Sequence, residues 1–152
     1  MIGKTAMLRD QQRALEAYKR IKKRKDSGKL DPSYSTQATS LMPLIRSAGL
    51  LQACEFLYTR KDSSAQDLLT DLASTVLSKE TKAKEFLEQI RNAEFERYLY
   101  LSRESLAVCK WYRRYAESMV QAKPKDTKSA TLENNTHTNM SKDNEVPNNV
   151  DS

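Results

Sequence analysis

Apolar residues return along 5–122 at steps of three and four, the spacing that puts side chains on one face of an α-helix. A first helix is expected over 5–25, with Met7, Gln11, Ala14, Tyr18 and Ile21 on one face, Leu8 and Leu15 widening it, and Gly28 stopping it. Asp31-Pro32-Ser33 reads as a turn and helix start. The second helix, over 34–48, contains Pro43, which removes a backbone donor and predicts a kink or break. Gly49 closes that element and turns the chain into a third helix over 50–58, "LLQACEFLY", apolar on most sides and expected to be central. A polar loop over 59–64 leads to a fourth helix over 65–77, with Leu68, Leu69, Leu72 and Val76 inward. A fifth covers 82–92 through Phe86, Leu87 and Ile90. The sixth and longest covers 94–122. Its expected stripe is Phe95, Leu99, Ser102, Leu106, Cys109, Arg113 and Ala116, broadened by Tyr98, Leu101, Val108, Tyr112 and Met119. So wide a face suits a helix through the middle of a bundle.

The periodicity stops at residue 123. Residues 123–152 hold six Asn, with Leu132, Met140, Val146 and Val150 as the large aliphatic or thioether residues. Such a segment buries too little to offset its conformational entropy, and disorder is expected. The fold class expected is all-α: a compact bundle of about six helices over 1–122 with a disordered polar C-terminal tail over 123–152. Composition agrees, with 3 Gly and 4 Pro against many helix formers.

Charge changes the picture. Residues 1–29 hold ten Lys or Arg against three Asp or Glu, a net +7. Residues 30–122 are neutral, with twelve of each sign, and 123–152 carry −1. The overall +6 therefore belongs to one element, and a local positive field implies an anionic partner. Cys54 and Cys109, the only cysteines, are read as reduced, buried thiols of a cytosolic protein. No secretory leader is visible and no apolar run is long enough to span a bilayer, so no membrane association is expected.

Catalytic chemistry is not signalled. Gly3-Lys4-Thr5 imitates the end of a phosphate-binding loop but lacks its earlier glycine and preceding strand. His137 is the only histidine and lies in the polar tail, which rules out His-based dyads, triads and His-rich metal sites. No Cys-x-x-Cys pair or glycine-rich loop occurs, and the carboxylates are read as members of solvated helix faces. The expectation is a protein with no enzymatic activity, no cofactor and no metal.

The basic stretch offers a binding surface instead. On a helical wheel the apolar set of the first helix centres near Tyr18, and Arg9, Arg13, Arg20, Lys23 and Arg24 fall opposite. From Arg9 to Arg24 this line of cations would run about 22 Å. In the sixth helix Arg103, Lys110 and Arg114 form a second stripe, interleaved with Trp111, Tyr112 and Tyr115. Aromatics beside arginines can stack on bases, although Trp111 and Tyr115 are better explained by packing on neighbouring helices. A rigid basic edge suffices to hold a nucleic-acid backbone. These eight residues are the candidate nucleic-acid contacts, provided the arginines point away from the bundle and are not neutralised by the chain's own carboxylates.

Two segments carry a resemblance. They are Leu41–Leu57, "LMPLIRSAGLLQACEFL", and Ser102–Glu117, "SRESLAVCKWYRRYAE". Together they resemble the small subunit of the type III-B, or Cmr-type, CRISPR effector complex. Pro43, Gly49, Leu50, Gln52, Ala53, Phe56 and Leu57 match a pattern of a proline-bearing helix, a glycine turn and an apolar helix. Arg103, Glu104, Leu106, Ala107, Trp111, Arg114, Ala116 and Glu117 match the final helix. Ala48 stands where the family often has Asn, so the turn is expected to rely on Gly49 alone. The resemblance covers about 5–122 and leaves the tail without a counterpart. It implies a non-catalytic, cytoplasmic protein that lines a ribonucleoprotein in several copies, beside backbone and large subunits. It also implies support of the duplex of guide RNA and target RNA, with target cleavage left to the backbone subunits. Base pairing then reads the sequence and the protein need only attract phosphates. The alternatives are a structural spacer that meets only other subunits, or a free-standing helical nucleic-acid-binding protein.

Overall fold

Local signals set most of the helix ends. The computed structural model describes residues 7–120, all within the unit Met1–Ala122. Six helices and no strand occur among them: α1 (Arg9–Asp26), α2 (Pro32–Ala48), α3 (Leu50–Thr59), α4 (Ser63–Leu77), α5 (Ala83–Arg91) and α6 (Phe95–Val120). The expected disordered tail over 123–152 lies outside the described residues.

At the end of α1, Gly28 takes φ +75°. The Lys29 amide returns to Arg24 O at 2.8 Å and the Gly28 amide to Lys25 O at 3.1 Å, which satisfies carbonyls the helix leaves open. Pro32 occupies the first turn of α2, where a missing N–H costs nothing. The N-caps of α2 and α4 are cross-pinned. Asp31 accepts the Tyr34 amide at 3.0 Å and the Ser64 hydroxyl at 2.7 Å, while Asp62 accepts the Ser64 amide at 2.9 Å and the Ser33 hydroxyl at 3.0 Å.

Gly49 ends α2 and caps α3 with φ +90° and ψ 161°, a region essentially reserved for glycine. The structure thus places the turn on Gly49 alone, with Ala48 still helical. Pro43 does not break α2, which continues through it to Ala48. Its ring is exposed, so no neighbour need make room for it.

The core follows a stripe of α6 made of Leu101, Ser105, Val108, Tyr112 and Ala116, against which α1, α2, α4 and α3 pack. The expected stripe was turned: Phe95 is 75% exposed and Arg113 is also exposed, whereas Glu104 is buried. α3 buries Leu50, Ala53, Cys54 and Leu57 but leaves Phe56 half exposed, so it is amphipathic rather than apolar all round. Cys54 and Cys109 are buried free thiols, and burial raises both pKa values, that of Cys54 to about 12.

Candidate nucleic-acid interface

The first helix decides which cations remain available. α1 runs parallel to α6: Arg9 meets Tyr100 near one end, and Tyr18 meets Tyr115 further along. Its wholly buried residues are Ala17 and Ile21, while Leu15 and Tyr18 remain 37% and 40% exposed. The buried face therefore centres on Ala17 rather than Tyr18, a rotation of about 100°. Residues beside that seam include Arg13, Arg20 and Arg24.

This placement corrects the expected row of outward arginines. Both Arg9 and Arg13 pair with Glu104 of α6; Arg9 lies 3.0 Å from it, and Arg13 donates through Nε at 3.1 Å. Arg20 donates to Glu80 at 2.7 Å. Arg24 donates to the two oxygens of Asp71 at 2.5 and 2.8 Å and lies 3.1 Å from Asp67. The chain's own carboxylates thus engage all four arginines. Lys110 is also paired, 3.0 Å from Asp10, whose carboxylate accepts the Trp111 indole N–H at 3.1 Å.

The reason is the position of the carboxylates. Asp71 sits on the inner face of α4 beside Leu68 and Leu72, and Glu104 lies between Leu101 and Val108 on α6. Neither belongs to a solvated face. Asp71 is only 3% exposed and accepts a further hydrogen bond from the Tyr34 hydroxyl at 2.7 Å. Tyr112 closes the network by donating to Asp71 O at 3.1 Å and pairing with the Thr75 hydroxyl at 2.7 Å. Burial pushes both Tyr34 and Tyr112 well above the usual phenol range, so they remain neutral donors. A carboxylate interrupting an apolar helical stripe was the sequence signal for these partners, because a buried charge requires a counter-charge.

Other cations stay free. Lys19, Lys23 and Lys25 of α1 and Arg103 and Arg114 of α6 are exposed and make no ion pair among the described residues. Trp111 stacks on Tyr115 with ring centres 5.9 Å apart, and Tyr115 meets Tyr18 edge-on at 5.5 Å, so both aromatics pack as expected. Lys110 and Arg114 lie over the Trp111 ring at 5.4 and 5.7 Å. Lys25 follows Tyr18 by seven residues and so shares its side of α1. Of the eight expected contacts, Lys23, Arg103 and Arg114 thus stand free, whereas Arg9, Arg13, Arg20, Arg24 and Lys110 are paired. Lys19 and Lys25 join the exposed set. Among the described residues, no group of three or more His, Cys, Asp or Glu could hold a metal ion, and no helix is long and apolar enough to cross a membrane.

The described helices coincide with a known family. Residues 9–119 match the family model described as CRISPR-associated protein (Cas_Cmr5). The chain is 33% identical over 113 residues to a Thermus thermophilus protein named CRISPR system Cmr subunit Cmr5, covering 74% of this chain and 96% of the relative. A crystal structure of a CRISPR-associated Cmr5 family protein, also from Thermus thermophilus, superposes with a TM-score of 0.68 at 34% identity, covering 76% of this chain and 100% of that one. With the same helical architecture and a match that runs from the start of α1 almost to the end of α6, this chain belongs to the CRISPR-associated Cmr5 family.

Proposed function

We propose that the protein is the non-catalytic small subunit of a cytoplasmic type III-B, Cmr-type RNA-guided complex. In this reading it lines the ribonucleoprotein and supports the duplex of guide and target RNA through phosphate contacts. The carrying observation is the set of exposed, unpaired cations on two parallel neighbouring helices: Lys19, Lys23 and Lys25 on α1, Arg103 and Arg114 on α6. Lysines on a rigid helix attract a phosphate backbone without reading bases, which suits a complex whose specificity comes from pairing with the guide. Arg13, Arg20 and Arg24 of α1 have a different task, holding the helix to the bundle. Lys110 contributes charge beside Arg114 while keeping its bond to Asp10.

Binding to single-stranded RNA should weaken with salt at a log–log slope of about −0.7 per phosphate contacted. Replacing Lys19, Lys23 and Lys25 with Ala should flatten that slope by about 2 if each lysine meets one phosphate. The triple variant should keep a melting temperature near the wild-type value, since none of the three makes an ion pair among the described residues. An unchanged slope overturns the assignment.

The exposed rings of Phe56 and Phe95 favour an additional role towards protein. They suit contacts with backbone or large subunits or with further copies of this chain. Were the protein only a spacer, Phe56→Ser and Phe95→Ser would block assembly while the lysine variant left RNA retention by the complex unchanged. A free-standing DNA reader is disfavoured because α3, the helix after the Gly49 turn, buries Leu50, Ala53, Cys54 and Leu57 in the bundle.

A further inference from the structure

The opposite end of the α1/α6 pair from the lysines carries two further exposed guanidiniums, those of Arg9 and Arg97. Arg97, Tyr100 and Glu104 follow one another on α6 at steps of three and four and share a face. The Arg9 guanidinium lies 5.6 Å from the Tyr100 ring centre and donates to its hydroxyl at 2.6 Å. The Arg97 guanidinium lies 5.3 Å from the same ring centre. Two guanidiniums thus share one aromatic ring, and the Arg9 side chain is 58% exposed.

The nearby carboxylates do not balance this cluster. Glu104 serves both Arg9 and Arg13. Asp10 is shared between Lys110, the Trp111 indole and Arg13, the last at 3.4 Å. Arg97 makes no hydrogen bond or ion pair among the described residues, so all its donors remain open. Four cations, Arg9, Arg13, Arg97 and Lys110, thus stand against three carboxylates, Glu104, Asp10 and Glu16, and of the four Arg97 is left without an ion pair among the described residues. Contact with a ring orients a guanidinium: the whole in-plane N–H edge of Arg97 stays open for two parallel bonds to an oxyanion, while Arg9, whose Nη2 already meets Tyr100 and Glu104, can add its other donors. An open cleft of about 340 Å³, lined in part by Arg9, Arg13, Glu16, Tyr100 and Glu104, adjoins the ring.

We infer that Arg9 and Arg97, ordered against Tyr100, form a binding site for a backbone phosphate of RNA. The inference rests on the RNA-contacting role proposed above and adds a specific site to it. RNA phosphate is favoured over an isolated anion because Lys23 lies fourteen residues beyond Arg9 on the same side of α1, about 21 Å away. One polyanion following the α1/α6 ridge meets both ends.

The test uses the full-length protein and a single-stranded RNA oligonucleotide, titrated across a series of salt concentrations. Arg97→Gln should reduce affinity at low salt and make the salt slope shallower by about 0.7, one phosphate's worth. Arg97→Lys keeps the charge but lacks the planar fork, and should recover the slope with only part of the affinity. Tyr100→Leu leaves the charge unchanged and should lower affinity by releasing both guanidiniums. Arg46→Gln, which removes an exposed cation from α2, should have a smaller effect than Arg97→Gln. Equal effects of Arg97→Gln and Arg46→Gln, or wild-type binding by both Arg97→Gln and Tyr100→Leu, overturn the site. If only the lysine triple variant flattens the slope, the site is refuted and the RNA role stands. If the wild-type chain binds no RNA, isolated or assembled, both fail. Loss of subunit assembly by Arg97→Gln with RNA affinity intact assigns the arginines to a partner's carboxylates and overturns the phosphate.

Discussion

Glu104 is a side chain whose protonation should be felt throughout the α1/α6 contact. Burial alone would raise its pKa, but the Arg13 hydrogen bond and charge, aided by Arg9, hold it below the usual 4.5. A carboxyl with a depressed folded-state pKa contributes stability that is complete above its unfolded value and lost as pH falls through the folded one. Glu104→Gln should therefore lower the melting temperature at neutral pH, and its gap from wild type should narrow in titrations below about pH 4.5. A gap independent of pH would mean that the charge does not stabilise the fold. Asp71 is more deeply placed, and Asp71→Ala leaves Tyr34 without its acceptor and Arg24 with Asp67 alone. Breaking such a buried pair costs about 3–5 kcal/mol, measurable by denaturant unfolding. Gly49→Ala forces a side chain into a glycine-only backbone region, where its Cβ would also lie 3.4 Å from the Tyr98 hydroxyl. A loss of about 1–3 kcal/mol in the same measurement is expected.

At the scale of elements, α1 stands apart because polar contacts secure so much of it. Only Ala17 and Ile21 are wholly buried, and many of the remaining fixings are ion pairs, to Glu104, Glu80, Asp67 and Asp71. The Arg20 hydrogen bond and charge also hold Glu80 below its usual pKa, so it weakens in the same direction as Glu104 when acidified. As pH falls from neutral to below about 4.5, amide protection in α1 should decline before that of α4 and α6, as read by hydrogen exchange. Simultaneous loss across the three helices would refute this. The helices themselves were legible because their signals are local. Gly28 and Gly49 ended α1 and α2, Asp31-Pro32 started α2, and Leu68, Leu69, Leu72 and Val76 drew the inner face of α4. The face of α1 was not legible from its own residues. Tyr18 and Leu15 looked like core, yet the helix turned towards Ala17 because doing so brings Arg13 to Glu104 and Arg24 to Asp71.

For the whole molecule, that rotation divides the positive charge into two populations. Arg13, Arg20 and Arg24 act within the bundle, while Lys19, Lys23, Lys25, Arg103 and Arg114 form the outer field, for which RNA is the proposed partner. The salt dependence of RNA binding should accordingly respond to the lysines, and the pH dependence of folding to the arginine partners, so the two properties are separable by mutation. Part of the candidate site was readable in advance, since Lys23, Arg103 and Arg114 are exposed as the stripes implied. The remainder depended on partners distant in the chain. By itself the sequence determined an all-helical chain, the order of its six helices and the excess charge near its start, because periodicity, capping and composition act over a few residues. Tertiary structure alone decided which of those charges remain free: Glu104 reaches Arg13 across 91 positions and Asp71 reaches Arg24 across 47, and a buried carboxylate claims the nearest guanidinium only once folding brings the two together.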